Sequence, residues 1–126
     1  MLMVAVSSGI VIFAHGSSVA SANDAVRTVA AQTATAGCFE LVETAFLEAH
    51  PTLREAVARL IERGATRVLV IPYFLTLGIH LQRDLPILIA EISSSYPDVS
   101  IKVTQPLDGH PALVQILLDR ARSASQ

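Results

Sequence analysis

The chain has 126 residues, 52% of them hydrophobic and 16% charged, so it can bury a substantial core and is not disordered. This length predicts a single domain over residues 1–126. Nine basic residues against eleven acidic ones leave a net charge of −2, and aromatic residues make up only 5%, which argues against nucleic acid as a partner.

Residues 1–14 are almost wholly apolar, but they lack the features of a targeting segment. A secretory signal carries positive charge near its start, and the first lysine or arginine of this chain is Arg27. The stretch is also too short to span a bilayer, so no membrane contact is expected. The one cysteine, Cys38, allows no internal disulfide and is most simply a small buried residue, which favours a reducing, cytoplasmic location.

Short apolar runs alternate with longer amphipathic stretches along the chain. In chain order the pattern predicts a strand over 9–14, a helix over about 20–36 ended by Gly37, a strand over 39–47, a helix from Thr52 to just before Gly64, a strand over 67–72, a helix over 84–96, a strand over 99–103 and a helix from Pro111. Strands that alternate with helices imply right-handed crossovers. We therefore expect an α/β fold with a four-stranded parallel sheet and helices on both of its faces.

Three of the helices carry clear start signals or apolar faces. Thr52 and Glu55 form a capping box, and Pro86 fits the first turn of the third helix. The residues expected to face the core are Leu53, Val57, Leu60 and Ile61 in the second helix, Leu85, Leu88, Ile89 and Ile92 in the third, and Leu113, Val114, Leu117 and Leu118 in the fourth.

The candidate site residues follow from where the strands end. Ligands of open parallel sheets bind beyond the carboxyl ends of the strands, and those positions hold His15, Glu48, His50, His80, Asp108 and His110. All four histidines are therefore expected on one edge of the sheet. Loops also collect polar residues for reasons unrelated to ligands, so each position has a structural alternative.

His15 follows the first strand directly, and Gly16 after it lets the backbone turn sharply. At this strand end His15 is either a rigidly held ligand or base, or a loop histidine that bonds a neighbouring backbone group. Ser17 can cap the next helix and is also a candidate for substrate contact. Glu48 ends the second strand, where a carboxylate near two imidazoles would suit a divalent cation; its alternative is a solvated charge near a helix start.

Residues 72–80 form an apolar loop bracketed by proline and glycine. Loops seldom expose large apolar side chains without a reason, and one reason is that they form a wall for a flat apolar ligand. The alternative is that the loop folds into the core or into a subunit interface. His80 is then a ligand at the mouth of the pocket or a histidine at a helix start. The candidates for substrate contact in and after this loop are Tyr73, Phe74, Leu75, Gly78 and Arg83, whose guanidinium could meet a carboxylate.

The remaining histidines and the absent motifs give weaker functional signals. His50 precedes Pro51 and the capping box, so we interpret it as structural or solvent-facing. His110 precedes Pro111 and is a weaker site candidate, for which packing at the helix start is the favoured interpretation. The sequence has no CxxC pair, no HExxH motif, no glycine-rich phosphate loop and no GxSxG elbow.

Several motifs, in their order along the chain, resemble those of the short sirohydrochlorin chelatases, class II tetrapyrrole metal chelatases of cobalamin and sirohaem synthesis. The matching pieces are Ala14-His15-Gly16-Ser17, Phe46-Leu47-Glu48, Pro72-Tyr73-Phe74-Leu75, Gly78 with His80, Asp84-Leu85-Pro86, Pro106-Leu107-Asp108-Gly109-His110-Pro111 and Asp119-Arg120. Ser18 departs from the pattern, since many relatives have an arginine there.

The resemblance implies a chelatase-like single lobe that inserts Co²⁺ or Fe²⁺ into sirohydrochlorin. It implies a homodimer, because longer relatives carry two such lobes in one chain. His15 and His80 would be the catalytic residues that hold the ion and accept protons, with Glu48 as a third ligand or proton acceptor. No tightly bound cofactor is implied, and nitrogen and oxygen ligands do not choose between cobalt, iron and nickel.

Two other functions remain open at this stage. A phosphatase could use His15 as its nucleophile, although Ala14 stands where such an enzyme would have an arginine, and basic residues for phosphate are scarce. A non-catalytic module could use the same histidines to carry a metal ion.

Overall fold

Strands and helices alternate over residues 7–124, the part of the chain that the computed structural model describes. They are β1 (Ser8–Ala14), α1 (Ala20–Gly37), β2 (Val42–Phe46), α2 (Leu53–Glu62), β3 (Arg67–Pro72), α3 (Ile79–Ser95), β4 (Ser100–Val103) and α4 (Ala112–Ala124). The predicted α/β order is confirmed. Residues 1–6 and 125–126 lie outside the described range, so what was predicted for the N-terminal residues and for a domain reaching both termini stays a prediction.

The four strands form one parallel sheet in the order β2-β1-β3-β4. β1 lies between β2 and β3 and pairs in register with both. Its residues from Ile10 to Ala14 are all buried, as expected for a strand with helices on both sides of the sheet. β2 and β4 are shorter than the predicted 39–47 and 99–103, since the extended strands cover only Val42–Phe46 and Ser100–Val103.

The two faces of the sheet are covered by different helices. On one face Phe13 of β1 packs in the larger core cluster with Leu60 of α2 and Ile92 of α3. On the other face α1 packs over β1 and β2, where Ile10 lies against Ala30. Right-handed crossovers produce this division, because the step from β1 to β2 runs along the sheet in the opposite direction to the steps from β2 to β3 and β4.

α2 begins and packs as its sequence predicts. The Thr52 hydroxyl accepts from the Glu55 N–H at 3.3 Å, and the Glu55 carboxylate accepts from the Thr52 N–H at 3.1 Å, which completes the capping box. Of the predicted core face, Leu53, Val57 and Leu60 are buried and Ile61 is half-buried against the same cluster.

The end of α1 differs from the prediction. The helix runs through Gly37, and the residue with left-handed backbone is Cys38, whose φ is 55°. A Cβ on Gly37 would lie 2.2 Å from the ring of Phe39, so this exposed ring would have to move to accommodate one. Cys38 is exposed, so the prediction of a buried cysteine is wrong: the residue that ends α1 turns into solvent.

α3 begins at Ile79 and not at Asp84 as predicted. Gly78 is its N-cap, and the carbonyl oxygen of Gly78 accepts from the backbone N–H of Gln82. Pro86 therefore lies inside the helix, where its missing N–H leaves the carbonyl of Gln82 without its helical partner. The predicted core face is observed, with Leu85 and Ile92 buried and Leu88 and Ile89 half-buried.

α4 does not bury the face predicted for it. Leu113 is half-buried, but Val114, Leu117 and Leu118 are 62%, 69% and 41% exposed, and no residue of α4 is buried. Helical periodicity indicates which side chains share a face, but not whether the same chain covers it. None of the helices within residues 7–124, α4 included, is long and apolar enough to cross a membrane.

Acid titration tests the capping box of α2. The pKa of Glu55 is lowered from 4.5 to about 2, first by the hydrogen bond from the Thr52 backbone and then by the side chain of His50. A carboxyl whose pKa is lowered by folding contributes stability that is complete above its unfolded-state pKa and is lost as the pH falls through its folded-state pKa. We expect the free energy of unfolding, measured in urea, to fall between pH 4.5 and pH 2, and to fall less in Glu55→Gln.

Glu62→Gln is the control, because Glu62 is an exposed carboxylate at the other end of the same helix. Its pH dependence should follow that of the unmodified protein. Equal losses of stability in Glu55→Gln and in the unmodified protein would contradict the assignment of the titration to Glu55.

Candidate functional site

His15 and Glu48 lie side by side where β1 and β2 end. The hydrogen bonds of the sheet continue past both strands, with Leu47 N–H donating to Ala14 O and Glu48 N–H donating to His15 O, both at 2.9 Å. The Nδ1 atom of His15 lies 3.7 Å from Oε2 of Glu48, and both side chains are more than half exposed. Backbone pairing thus brings the imidazole and the carboxylate together.

Gly16 allows the chain to turn away from the end of β1. Its φ is +86°, and a Cβ at this position would lie 3.0 Å from the Cβ of Phe46. Any other residue would strain the backbone and crowd the end of β2. The sharp turn predicted for Gly16 is therefore confirmed.

The surroundings of His15 favour one tautomer. Its Nδ1 lies 3.1 Å from the carbonyl oxygen of Gly16, which can only accept, so this hydrogen bond requires the proton on Nδ1. The carboxylate of Glu48 on the same side favours the same arrangement. In the neutral ring Nε2 then keeps its lone pair, as in histidines that bind a metal ion and donate their other ring N–H to a carbonyl or carboxylate.

Asn23, in α1, holds the loop after His15 and was not indicated by the sequence patterns. Its side-chain amide donates to Ser17 O at 2.8 Å and accepts from the Ser17 N–H at 2.9 Å. The Ser17 hydroxyl accepts from the Val19 N–H, but the predicted side-chain cap on α1 is absent, since its N-cap residue is Val19. An asparagine inside an alanine-rich helix, where its propensity is poor, is the one signal that could have pointed to Asn23.

His80 lies in the first turn of α3, next to Arg83 and Asp84. Nη2 of Arg83 lies 3.5 Å from Nδ1 of His80, and Nε of Arg83 donates to Asp84 at 3.1 Å. A guanidinium can only donate, so this contact uses the lone pair on Nδ1 and leaves the proton of the neutral ring on Nε2. The two imidazoles thus differ, because the lone pair of His15 is free while that of His80 is engaged by Arg83.

His15 and His80 line the same cleft, whose volume is about 340 Å³. They come from the end of β1 and the start of α3, which are far apart in the sequence. The other lining residues are mostly apolar, namely Leu47, Phe74, Gly78, Ile79, Leu81 and Asp84. A pocket with apolar walls and a few converging polar groups is typical of a small-molecule site.

The apolar wall is narrower than the predicted stretch of residues 73–77. Phe74 lines the cleft and meets Phe13 edge to face, with ring centroids 6.0 Å apart. Tyr73 packs instead with the α1 cluster, because successive residues of an extended chain point to opposite faces of the sheet. Among the other predicted contacts, Gly78 lines the cleft, whereas Ser17, Leu75 and Arg83 do not.

The other two histidines make contacts outside the cleft. Nδ1 of His50 meets the carboxylate of Glu55 in the capping box. Nδ1 of His110 accepts from the Ala112 N–H at the start of α4. The position of a residue after a strand therefore brings four histidines toward one edge, but only His15 and His80 line this cleft.

Within residues 7–124, no three His, Cys, Asp or Glu side chains form a group that could hold a metal ion. Glu48 lies beside Nδ1 of His15 and is not part of the cleft lining. The assignment of a metal to His15, His80 and Glu48 together stays a prediction.

Comparisons with known proteins agree on one family. The CbiX family model matches residues 9–124. The sirohydrochlorin cobaltochelatase of Methanopyrus kandleri is 28% identical over 136 residues, covering 91% of this chain and 95% of the relative. The chloroplastic sirohydrochlorin ferrochelatase of Arabidopsis thaliana is 31% identical over 115 residues, covering 90% of this chain and 51% of the relative.

A solved structure agrees with these sequence comparisons. The sirohydrochlorin chelatase SirB of Bacillus subtilis subspecies spizizenii, in complex with cobalt, matches with a TM-score of 0.85 and 25% identity over 93% of this chain and 50% of the SirB chain. The chain therefore spans about half the length of SirB and of the Arabidopsis relative.

Substitution of Asn23 tests whether it positions the loop that carries His15. We expect Asn23→Ala to weaken Co²⁺ binding about tenfold, measured by titration calorimetry. The reason is that the loop after His15 loses the two hydrogen bonds between Asn23 and the backbone of Ser17. Asn23→Asp keeps the acceptor and loses the donor, so its Co²⁺ affinity should lie between that of the unmodified protein and that of Asn23→Ala. Thr28→Ala, an exposed change on the same helix, is the control, and wild-type affinity in Asn23→Ala would contradict the prediction.

Proposed function

Since the chain belongs to the CbiX family, we propose that it inserts a divalent metal ion into sirohydrochlorin, as a metal chelatase. The observation that carries this proposal is the cleft in which two imidazoles from distant parts of the chain share apolar walls. The substrate is a flat ring with apolar faces and a rim of carboxylates. Phe74 and Leu81 suit its faces, and the two histidines suit the ion and the protons that are exchanged.

The chemistry requires a group that accepts protons near neutral pH. The incoming ion replaces two protons on pyrrole nitrogens, and both protons must leave as the metal–nitrogen bonds form. A neutral imidazole with a free lone pair can bind the ion first and take a proton afterwards. Nε2 of His15 has such a lone pair, and the Gly16 carbonyl and Glu48 carboxylate beside Nδ1 stabilise the ring when it becomes positively charged.

His80 becomes available by a different route. Arg83 engages its Nδ1 lone pair at 3.5 Å, while the same guanidinium contacts Asp84. A carboxylate of the substrate rim competes for Arg83, because a guanidinium binds planar carboxylates well. Movement of Arg83 to the substrate would release the His80 lone pair for the ion or for a proton, at the moment when the ring is bound.

The metal is held by nitrogen and oxygen donors and must leave for the ring. His15 and His80 supply two nitrogen ligands, and Glu48 is the proposed third ligand or proton acceptor. Donors of this kind bind cobalt, iron and nickel without thiolate, so they permit transfer of any of these ions. The relatives named cobaltochelatase and ferrochelatase support cobalt or iron as the ion inserted.

The single lobe works as a homodimer in this proposal. One chain spans 50% of SirB, and a cleft of about 340 Å³ is near the lower limit for ligand pockets. A second copy would supply the second wall that a large flat ring requires. A cytoplasmic location fits a biosynthetic enzyme whose single cysteine, Cys38, is exposed and unpaired with another cysteine.

Metal insertion tests the roles of the histidines. With sirohydrochlorin and Co²⁺, followed by absorption spectroscopy, we expect His15→Ala and His80→Ala each to lower the rate about 100-fold, because each removes a group that binds the ion and accepts a proton. Glu48→Gln should lower it about tenfold, since it removes the carboxylate charge beside His15 and the proposed proton acceptor but keeps an oxygen that can bind the ion. His50→Ala is the matched control and should keep the wild-type rate, because His50 lies outside the cleft.

Near-wild-type insertion in both His15→Ala and His80→Ala would overturn the site assignment. A metal carrier would bind Co²⁺ and leave the tetrapyrrole spectrum unchanged. A phosphatase would release phosphate from an aryl phosphate under the same conditions. Either result from the unmodified protein would overturn the proposed activity itself.

The mass in solution tests the homodimer. Light scattering should give about twice the chain mass of 13.4 kDa. A monomer that still inserts metal at the full rate would contradict the proposal that a second copy is needed.

A further inference from the structure

The loop between β4 and α4 carries a histidine, His110, that the proposed reaction does not use. This loop is bonded to the wall of the cleft. Leu107 N–H donates to Phe74 O at 3.0 Å, and the next residue donates its N–H to Leu75 O at 2.7 Å. Since Phe74 lines the cleft, His110 is held close to the surface that we propose for the substrate.

His110 also lines a second, smaller recess, whose volume is about 270 Å³. The other described residues that line it are apolar, namely Leu107, Ala112, Leu113 and Ile116. Leu107 links the recess to the cleft, because its side chain lines the recess and its backbone is bonded to Phe74. The recess therefore adjoins the cleft and contains a single polar side chain within residues 7–124.

Three hydrogen bonds fix the orientation of His110. Its backbone N–H donates to Leu107 O at 3.2 Å, and its carbonyl oxygen accepts from the Leu113 N–H at 3.1 Å. Nδ1 of its ring accepts from the Ala112 N–H at 3.0 Å. This last bond requires a lone pair on Nδ1, so the neutral ring carries its proton on Nε2.

The proton on Nε2 makes His110 a hydrogen-bond donor, whereas His15 presents a lone pair. At His15 the bond from Nδ1 to the Gly16 carbonyl leaves Nε2 free to bind a metal ion. At His110 the direction of the Nδ1 bond is reversed, so Nε2 presents an N–H instead. The His110 ring in this state suits an acceptor such as a carboxylate and does not suit a cation.

We propose that the recess holds one carboxylate-bearing side arm of the tetrapyrrole, and that the Nε2–H of His110 donates to its carboxylate. This inference rests on the proposed function and adds a substrate-binding residue to it. The apolar walls contact the carbon atoms of the arm, and the single donor binds its charged end. The cleft alone is near the lower limit of volume for ligand pockets, and the adjoining recess adds room for groups on the rim of the ring.

The charges around the recess permit a carboxylate. Among the described residues, no acidic side chain lines it. Asp108, on the same loop, is exposed and is not part of the lining. Since no lining residue is an arginine or a lysine either, the N–H of His110 is the group that recognises the carboxylate.

Substitutions that keep the hydrogen bond to Ala112 separate substrate binding from support of α4. The side-chain oxygens of asparagine and aspartate accept from the N–H two residues on, so His110→Asn and His110→Asp keep this bond and remove the imidazole N–H. Binding of metal-free sirohydrochlorin is measured by the change in its fluorescence. We expect Kd to rise about fivefold in His110→Asn, which loses a hydrogen bond to a charged group, and about fiftyfold in His110→Asp, which adds repulsion.

Gln105→Glu is the control for added charge, because Gln105 is exposed on the same loop and lines neither the recess nor the cleft. It should bind the ring with the Kd of the unmodified protein. In the Co²⁺ insertion assay at saturating sirohydrochlorin, both His110 variants should keep kcat within about twofold, because they lose binding of the arm and no group that takes part in the reaction.

An unchanged Kd in both His110 variants overturns the proposal and leaves the proposed function intact. Equal weakening by Gln105→Glu and His110→Asp also overturns it, because net charge then explains the effect. So does a fall in kcat with Kd unchanged, since His110 would then act on the reaction and not on the arm. A protein that inserts no metal, but whose His110 variants bind the ring more weakly as expected, overturns the proposed function and supports the recess as a binding site.

Discussion

The parallel pairing of β1 with both of its neighbours is the constraint on which the site depends. Parallel strands end at the same edge of the sheet, and the hydrogen bonds from Leu47 and Glu48 extend the pairing of β1 and β2 beyond the strands. His15 is therefore held by backbone bonds and by the turn at Gly16, without packing of its own side chain. A half-exposed imidazole gains the rigidity of the sheet in this way while it stays open to solvent and to a ligand.

The elements that were predictable from sequence are those whose signals are local. The apolar run over 67–72 and the Thr52–Glu55 pair determine β3 and the start of α2 through burial and hydrogen bonds within a few residues. The start of α3 was not predictable from Pro86, because the bonds at Gly78 satisfy the helix start earlier in the chain. Whether the apolar face of α4 is covered depends on surfaces that are distant in the sequence, and helical periodicity does not predict these.

The site was predictable to the same degree. The expectation that site residues lie beyond the carboxyl ends of the strands indicated His15 and Glu48 correctly as neighbours, since it follows from sheet geometry alone. Position after a strand did not by itself separate His80, which lines the cleft, from His50, which contacts the capping box; the proline after His50 indicated that difference. Asn23 was not predictable, because its side chain bonds only to backbone atoms, and such bonds require no particular partner residue type. Tyr73 packs with the α1 cluster and does not line the cleft, because alternation turns it away from Phe74.

The edge contact between Phe13 and Phe74 joins the interior of the protein to the wall of the cleft. Phe13 is 1% exposed and sits in the main core, while its neighbour forms part of the cleft wall. Close-packed interiors transmit changes of volume, so the width of the cleft depends on core residues that do not line it. The shape of the cleft is therefore adjustable from inside the fold, while the polar groups that line it stay unchanged.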